Sequence, residues 1–261
     1  MTSPRPVRHV TVLGLGLALA ACVAAPIESG PPSPTAMPTS SPMAAASSAP
    51  PIQDVMALGP FSPLEPGAYA IDPDGDRPTT MRVMYDIPAE GWASWIGAAK
   101  FSDVGHTGLS ITVVSNLVTD GCHDHDWADP PVGPTVDDLV AALEALAPFE
   151  VTSAARDVTM AGFSGKHLEW SVPDLPVQRQ GDDWSFTGCT GGKLKSWVAF
   201  IDADEPSDAF YGYTGPGYRE EFWILDVDGT RLLIGAGRSP GSPAADLAEL
   251  ESILDSIRIE P

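Results

Sequence analysis

Residues 222–234 have the sequence FWILDVDGTRLLI, which is the clearest fold signal in the chain. Two runs of aliphatic and aromatic residues flank the dipeptide Asp228-Gly229. Aspartate and glycine tolerate the positive φ angles that a tight two-residue turn requires. Residues 220–235 are therefore predicted to form a β-hairpin.

Further strands are predicted wherever aliphatic and β-branched residues cluster between turn-forming residues. They cover residues 82–87, 109–118, 196–201 and 256–259. Four tryptophans, Trp92, Trp170, Trp197 and Trp223, lie in strand-like patterns and are expected in the core. The chain is thus predicted to be rich in sheet.

Two helices are predicted from apolar residues that recur every three or four positions. The first begins at Thr135, where Asp138 three residues later completes a capping-box pattern. The second begins at Ser242, with Pro243 at the first helical position. Their apolar stripes are Val136, Leu139, Val140, Leu143 and Leu146, and Leu247, Leu250, Leu254 and Ile257. The predicted fold class is α+β, a mostly antiparallel sheet with both main helices packed on one face.

The N-terminus has the features of an export signal. Arg5 and Arg8 give a positive start, and residues 10–21 form an apolar run that is too short to span a bilayer comfortably. The run ends in Leu19-Ala20-Ala21-Cys22, which resembles the lipobox of bacterial lipoproteins. This resemblance implies cleavage before Cys22, a lipid on its sulfur, and anchoring on the extracytoplasmic face of the cell membrane.

Composition divides the chain into three parts. Residues 1–21 are the predicted signal peptide. Residues 22–57 comprise the lipidated Cys22 and a tether rich in Pro, Ser, Ala and Thr, which contains too little apolar surface to fold. Residues 58–261 are long enough to bury one sizeable core and are predicted to form a single domain.

Two cysteines remain once Cys22 is assigned to the lipid. An even number in an oxidising compartment favours a disulfide, which we predict between Cys122 and Cys189.

The chain is strongly acidic, with 14 Lys and Arg against 35 Asp and Glu. Removal of Arg5 and Arg8 with the signal peptide leaves 12 against 35, a net charge near −23. Such a surface repels phosphate backbones, so nucleic acid is excluded as a partner.

The order of elements resembles the Mog1/PsbP-like fold of LpqN-type lipoproteins, closest to uncharacterised lipoproteins of high-GC bacteria. The matching stretches are residues 87–92 (IPAEGW), 158–165 (VTMAGFSG) and 252–257 (SILDSI). The resemblance implies a non-enzymatic module that binds a partner, and it brings no catalytic residues.

A polar cluster, Gly121–Trp127, contains His123 and His125 in alternation. Together with Asp124 or Asp126 these histidines could bind zinc or copper. The alternative is an exposed loop held by a disulfide, since a third ligand at a fixed spacing is missing.

An aromatic segment, residues 210–218 (FYGYTGPGY), is the best sequence signal for ligand contact. Tyr211, Tyr213 and Tyr218 lie among glycine and proline, and aromatic rings on such loops can stack on sugars or seat a peptide.

Catalytic patterns are incomplete. Ser164 lacks the glycine two residues later that a nucleophile elbow needs, because Lys166 occupies that position. Acidic residues such as Glu90, Glu150 and Glu169 could pair as in a glycosidase, but that chemistry depends on distances.

The sequence thus predicts a lipid-anchored, non-catalytic binding or scaffolding protein without a cofactor. Its partner is expected to be an envelope protein or a cell-wall ligand. The alternatives are a metal-binding lipoprotein that uses His123 and His125, and a cell-envelope hydrolase.

Overall fold

The structure is a computed structural model that describes residues 52–73, 81–103, 105–180, 183–198 and 210–261. The predicted signal peptide, Cys22 and the tether as far as residue 51 lie outside the described residues. Strand β1 and the buried side chain of Val55 precede residue 58, the domain start assigned from composition.

The described helices are α1 (Val136–Ala145) and α2 (Ala244–Asp255), with short 3-10 helices at Val55–Ala57 and Thr190–Gly192. The described strands are β1 (Gln53–Asp54), β2 (Pro63–Leu64), β3 (Gly67–Ile71), β4 (Arg82–Ile87), β5 (Trp92–Trp95), β6 (Gly97–Ser102), β7 (Gly105–Val113), β8 (Val118–Asp120), β9 (Asp124–Trp127), β10 (Glu150–Met160), β11 (Phe163–Ser171), β12 (Val177–Gln180), β13 (Asp183–Phe186), β14 (Lys195–Val198), β15 (Phe210–Gly212), β16 (Arg219–Val227), β17 (Thr230–Arg238) and β18 (Arg258–Glu260).

The main sheet has eight strands in the order β10-β11-β16-β17-β7-β6-β5-β2, and its neighbouring strands run antiparallel. A second sheet has the order β1-β3-β4-β18, in which the short β1–β3 pair is parallel. Three two-stranded ribbons, β8-β9, β12-β13 and β14-β15, complete the described sheet structure. The α+β class predicted from the sequence is confirmed.

The hairpin at the centre of the main sheet is β16 and β17, which pair in register from Arg219 opposite Arg238 to Val227 opposite Thr230. Asp228 and Gly229 form the turn with φ angles of 50° and 87°. The hairpin prediction is confirmed, because this dipeptide accepts the left-handed backbone that a two-residue turn imposes.

The other predicted strands differ from the observed strands mainly in where they begin and end. Residues 82–87 coincide with β4, whereas the run 109–118 divides into the end of β7 and the start of β8. The predicted strand 196–201 overlaps β14, and its residues 199–201 lie outside the described residues. The C-terminal strand is β18, one or two residues later than predicted.

Both faces of the main sheet are buried, and each helix covers a different face. On β16, Phe222 and Ile224 pack in the same core as α1, whereas Leu225 and Val227 pack in the core that contains α2. The second sheet shares the α2 side. The prediction that both helices lie on one face is thereby corrected. The run FWIL places apolar side chains on both sides of a strand, so each face needs its own cover.

The helix starts follow local capping chemistry. The amide of Asp138 donates to Thr135 Oγ1 at 3.1 Å, and the amide of Thr135 donates to Asp138 Oδ2 at 2.9 Å. This is the predicted capping box at the start of α1. Helix α2 begins one residue later than predicted, with Pro243 as the N-cap residue. Within the described ranges, no helix combines the length and apolar character needed to cross a membrane.

Candidate functional site

The predicted disulfide is present. Cys122 lies in the turn between β8 and β9, and Cys189 follows β13, with their Cα atoms 4.5 Å apart. Backbone hydrogen bonds join the same two segments: Thr190 N donates to Cys122 O at 2.7 Å, and Lys195 N donates to Gly121 O at 2.9 Å. The disulfide therefore connects two segments that cover the α1 side of the main sheet.

The histidine-rich cluster lies on the surface beside this disulfide. His123 and both aspartates, Asp124 and Asp126, are exposed, and the His125 ring contacts the carbonyl oxygen of Gly121 at 3.0 Å. Among the described residues, no three ligand atoms of this cluster lie close enough together to surround one ion. Because the strand directs neighbouring side chains to opposite faces, proximity in sequence does not produce convergence.

The three tyrosines of the aromatic segment are core residues. Tyr211, Tyr213 and Tyr218 are all buried, and their rings pack against one another. This burial corrects the expectation of an exposed contact surface. The three tyrosines lie on the α1 face of the main sheet, where their side chains pack in the core and are shielded from solvent.

A groove lies on the opposite face, between α2 and the main sheet. We call it the α2 groove. Its first cavity has a volume of about 590 Å³. Leu247, Leu250 and Leu254 line it from α2, and Trp223 and Glu221 line it from β16. The turn after β10 closes the far side.

A second cavity of about 670 Å³ continues the groove past the N-terminal end of α2. It shares Arg238 and Leu247 with the first cavity and adds Arg219 and the loop 239–242. The first cavity is thus leucine-rich with Glu251 and Asp255 also in its wall, whereas the second contains serine, arginine and the acidic residues Glu150 and Asp174.

Helix α2 is held in place from the side away from the first cavity. Lys100 Nζ of β6 lies 2.7 Å from Glu249 Oε2 and 3.0 Å from Asp246 Oδ1, and the Trp92 indole N–H donates to Glu249 at 2.9 Å. These contacts couple the helix to the sheet, so that the groove has a fixed wall.

A cluster of ionisable side chains extends from the groove onto β11. Glu221 and Arg238 line the groove, and Arg238 Nη1 donates to Glu221 Oε1 at 2.7 Å. On the other side of Glu221, Oε2 lies 3.6 Å from Nε2 of the buried His167. The contact with His167, followed by that with Arg238, lowers the pKa of Glu221 to about 2, although half-burial acts in the opposite direction.

The register of β11 against β16 brings this cluster together. His167 lies opposite Trp223 and Glu169 lies opposite Glu221. The strands approach closely at Gly165, where a Cβ atom would clash with the carbonyl oxygen of Ile224. Gly165 lies within β11, after the turn that contains Gly162. One ligand atom from each of His167, Glu169 and Glu221 falls within 4.8 Å of the other two.

Comparison with known proteins yields a remote likeness. No protein-family model matches the chain, and no curated protein matches it. The chain is similar to a solved structure of LpqN from Mycobacterium tuberculosis, a protein described as involved in cell envelope biogenesis. The identity is 11%, the alignment covers 77% of this chain and 90% of LpqN, and the TM-score is 0.32. At this TM-score the likeness carries no argument, and the Mog1/PsbP-like assignment stays a prediction.

Sequence reasoning named Glu169 only among carboxylates that could pair as in a glycosidase, and it did not single out the α2 groove or the cluster beside it. The alternation of His167 and Glu169 along a strand was a usable signal, because residues two apart share one face. Glu221 is 52 positions away from Glu169 in the numbering, and only the strand register places the two side by side.

Proposed function

We propose that this chain is a lipid-anchored extracytoplasmic binding protein whose folded domain holds its ligand in the α2 groove without chemical turnover. The lipobox-like residues 19–22 support the location, and the tether is suited to holding the domain away from the membrane. An envelope protein or a cell-wall molecule is the expected partner.

The observation that carries this proposal is the composition of the groove walls. Leucine side chains and Trp223 offer apolar surface in the first cavity. Arg219 lines the second cavity and makes no ion pair among the described residues. Arg238, shared by both cavities, pairs with Glu221. Acidic side chains line both cavities as well, Glu251 and Asp255 in the first and Glu150 and Asp174 in the second. Arg219 is therefore the guanidinium group left to pair with a carboxylate or phosphate of a ligand whose apolar portion contacts the leucines.

The state of Glu221 supports binding rather than acid–base catalysis. With a pKa of about 2 and an ion pair to Arg238, this carboxylate is ionised at neutral pH. A general acid needs a pKa near the working pH, so Glu221 is poorly suited to donate a proton to a ligand in the groove.

Leu247 provides the test, because its half-buried side chain lines both cavities. We expect Leu247→Asp to abolish the stabilisation that a groove ligand gives to the protein. The probes are a fatty acid, a lysophospholipid and peptidoglycan fragments, screened by thermal shift. A ligand at 100 times its Kd adds about 2.7 kcal/mol to the folded state, or roughly 5–10 °C for a domain of this size.

Ala248→Asp is the matched control, since Ala248 is exposed on the same helix and lines neither cavity. It introduces the same charge one residue away and should retain the ligand-induced shift. An equal shift in Leu247→Asp and the wild-type protein would place the binding site elsewhere and contradict the proposal.

A further inference from the structure

Two carboxylates face each other across β11 and β16 on the α2 side of the main sheet. Glu169 and Glu221 are direct cross-strand partners, a position in which like charges are destabilising. Oε1 of Glu221 accepts a hydrogen bond from Arg238. The half-buried Glu169 makes no hydrogen bond or ion pair within the described residues. The pair therefore has a negative charge that the neighbouring side chains do not offset.

His167 adds a nitrogen ligand on the same face. It precedes Glu169 by two residues, so the strand directs both side chains to one side. Its side chain is 2% exposed, and its Nδ1 is buried without a hydrogen-bond partner in the described part of the chain. Its other nitrogen points at Glu221, with 3.6 Å between Nε2 and Oε2.

The distance between His167 Nε2 and Glu221 Oε2 leaves room for an ion between the two atoms. A hydrogen bond between nitrogen and oxygen spans about 2.7–3.2 Å. Two ligands at roughly 2.0–2.1 Å from a tetrahedral zinc ion are about 3.3 Å apart. The 3.6 Å between His167 Nε2 and Glu221 Oε2 is near this value. Since all three ligand atoms lie within 4.8 Å of one another, small side-chain movements would bring them onto one ion.

We propose that His167, Glu169 and Glu221 form a binding site for one divalent transition-metal ion, with zinc as the favoured occupant. One imidazole and two carboxylates are a ligand set that Zn²⁺ accepts, and zinc binds such sites more tightly than Mn²⁺ or Fe²⁺. The ion would offset the charge of the cross-strand carboxylates, while Arg238 orients Glu221 through its other oxygen.

The site also has a consequence for the α2 groove, and this part of the inference rests on the proposed function. Glu221 belongs to both the cluster and the groove wall. Three protein ligands leave a fourth position of a tetrahedral zinc ion open. An anionic group of a ligand in the groove could occupy that position, next to the guanidinium of Arg238.

The test is titration of the metal-free, disulfide-intact protein with ZnCl₂ and, separately, with MnCl₂ in an isothermal calorimeter. We expect one equivalent of zinc to bind, more tightly than manganese. Glu169→Gln should weaken zinc binding by at least roughly 10–100-fold, the loss that removal of even an outer-shell partner causes. Glu169 makes no hydrogen bond that the change would break, so this variant should keep the fold. Circular dichroism checks this, and His167→Gln provides a second variant that removes the nitrogen ligand.

Two controls separate this site from other carboxylates and histidines. Glu251→Gln removes a carboxylate that lines the first cavity outside the cluster and should leave zinc binding unchanged. The double variant His123→Ala/His125→Ala should also bind zinc normally. The proposal is overturned if no zinc binds, if Glu169→Gln binds it like the wild-type protein, or if the double variant loses it.

The zinc titration and the groove test can fail independently. Leu247→Asp should still bind zinc while it loses the shift caused by the fatty acid or lysophospholipid. If Glu169→Gln loses zinc binding but neither the wild-type protein nor any variant binds an organic probe, the metal site is supported and the proposed function is rejected. Organic probe binding without zinc binding would reject the metal site alone.

Discussion

Glu220 is an ionisable residue in the apolar core on the α1 side of the main sheet. Its side chain is 1% exposed, and Tyr213 donates a hydrogen bond to Oε2 at 2.7 Å. No cation pairs with Glu220 among the described residues, and Oε1 has no hydrogen-bond partner there. Burial raises the pKa of Glu220 to about 8, although the Tyr213 hydrogen bond favours the ionised form.

This residue should make the stability of the protein depend on pH. The pKa rises from 4.5 to about 8 on folding, so the folded state retains the proton over that window. The contribution of the Glu220 proton to the free energy of unfolding is fully present below about pH 4.5 and is lost as the pH rises towards 8. Relative to Glu220→Gln, the free energy of unfolding of the wild-type protein should fall by up to about 1.4 kcal/mol per pH unit in this window.

Urea unfolding of both proteins at pH 5, 6, 7 and 8 measures the difference. Comparison with the glutamine variant removes the contributions of the many other carboxylates, which the two proteins share. Parallel stability profiles would show that Glu220 does not take up a proton on folding.

At the scale of elements, the disulfide region is stabilised by a cross-link between segments that are distant in sequence. Cys122, in the turn between β8 and β9, and Cys189, after β13, are 67 residues apart in the sequence. The side chain of Thr190 also donates to the carbonyl oxygen of His123 at 2.8 Å. Both cysteines belong to the core on the α1 side, so these surface ribbons contribute to the same packing as α1.

Removal of this cross-link should cost considerable stability. For a loop of this length, chain entropy predicts a loss of about 4 kcal/mol in the double variant Cys122→Ser/Cys189→Ser. Urea unfolding at constant pH measures it, and the wild-type protein in reductant should show a similar loss. Unchanged stability in both samples would mean that the hydrogen bonds between the two segments maintain the stability of the protein without the disulfide.

At the scale of the whole molecule, the main sheet separates two cores with different contents. The α1 side is closed by aromatic residues and the disulfide-linked ribbons. The α2 side is covered by the second sheet over one part and by α2 over another, and the α2 groove remains between the helix and β10, β16 and β17. The proposed ligand site therefore lies on the α2 side.

The proposed anchor predicts where the protein is found in the cell. Cys22→Ala should move the protein from the membrane fraction to the soluble extracytoplasmic fraction, because the lipid on Cys22 is the proposed attachment. Immunoblotting of fractionated cells measures this, with high-salt washing to remove proteins held by charge. Retention of the variant in the washed membranes would contradict lipid anchoring through Cys22.

Local interactions explain which structural features were predictable from the sequence. The Asp228-Gly229 turn and the Thr135–Asp138 capping box depend on backbone conformation and hydrogen bonds within a few residues. Both were predicted correctly. The Cys122–Cys189 pairing was predictable for another reason, since assigning Cys22 to a lipid left only one pairing.

The tertiary structure decided which surfaces and residues meet. The run FWIL indicates a strand, but only the assembled sheet shows that its two faces are covered by different helices. The tyrosines 211, 213 and 218 have the composition of a contact loop, and packing against the α1 core buries them. His167, Glu169 and Glu221 come together through the register of β11 and β16, which depends on long-range pairing between strands. Neighbouring residues therefore determined the turns and caps of this protein, whereas its candidate ligand groove and metal site required the distant contacts that form only on folding.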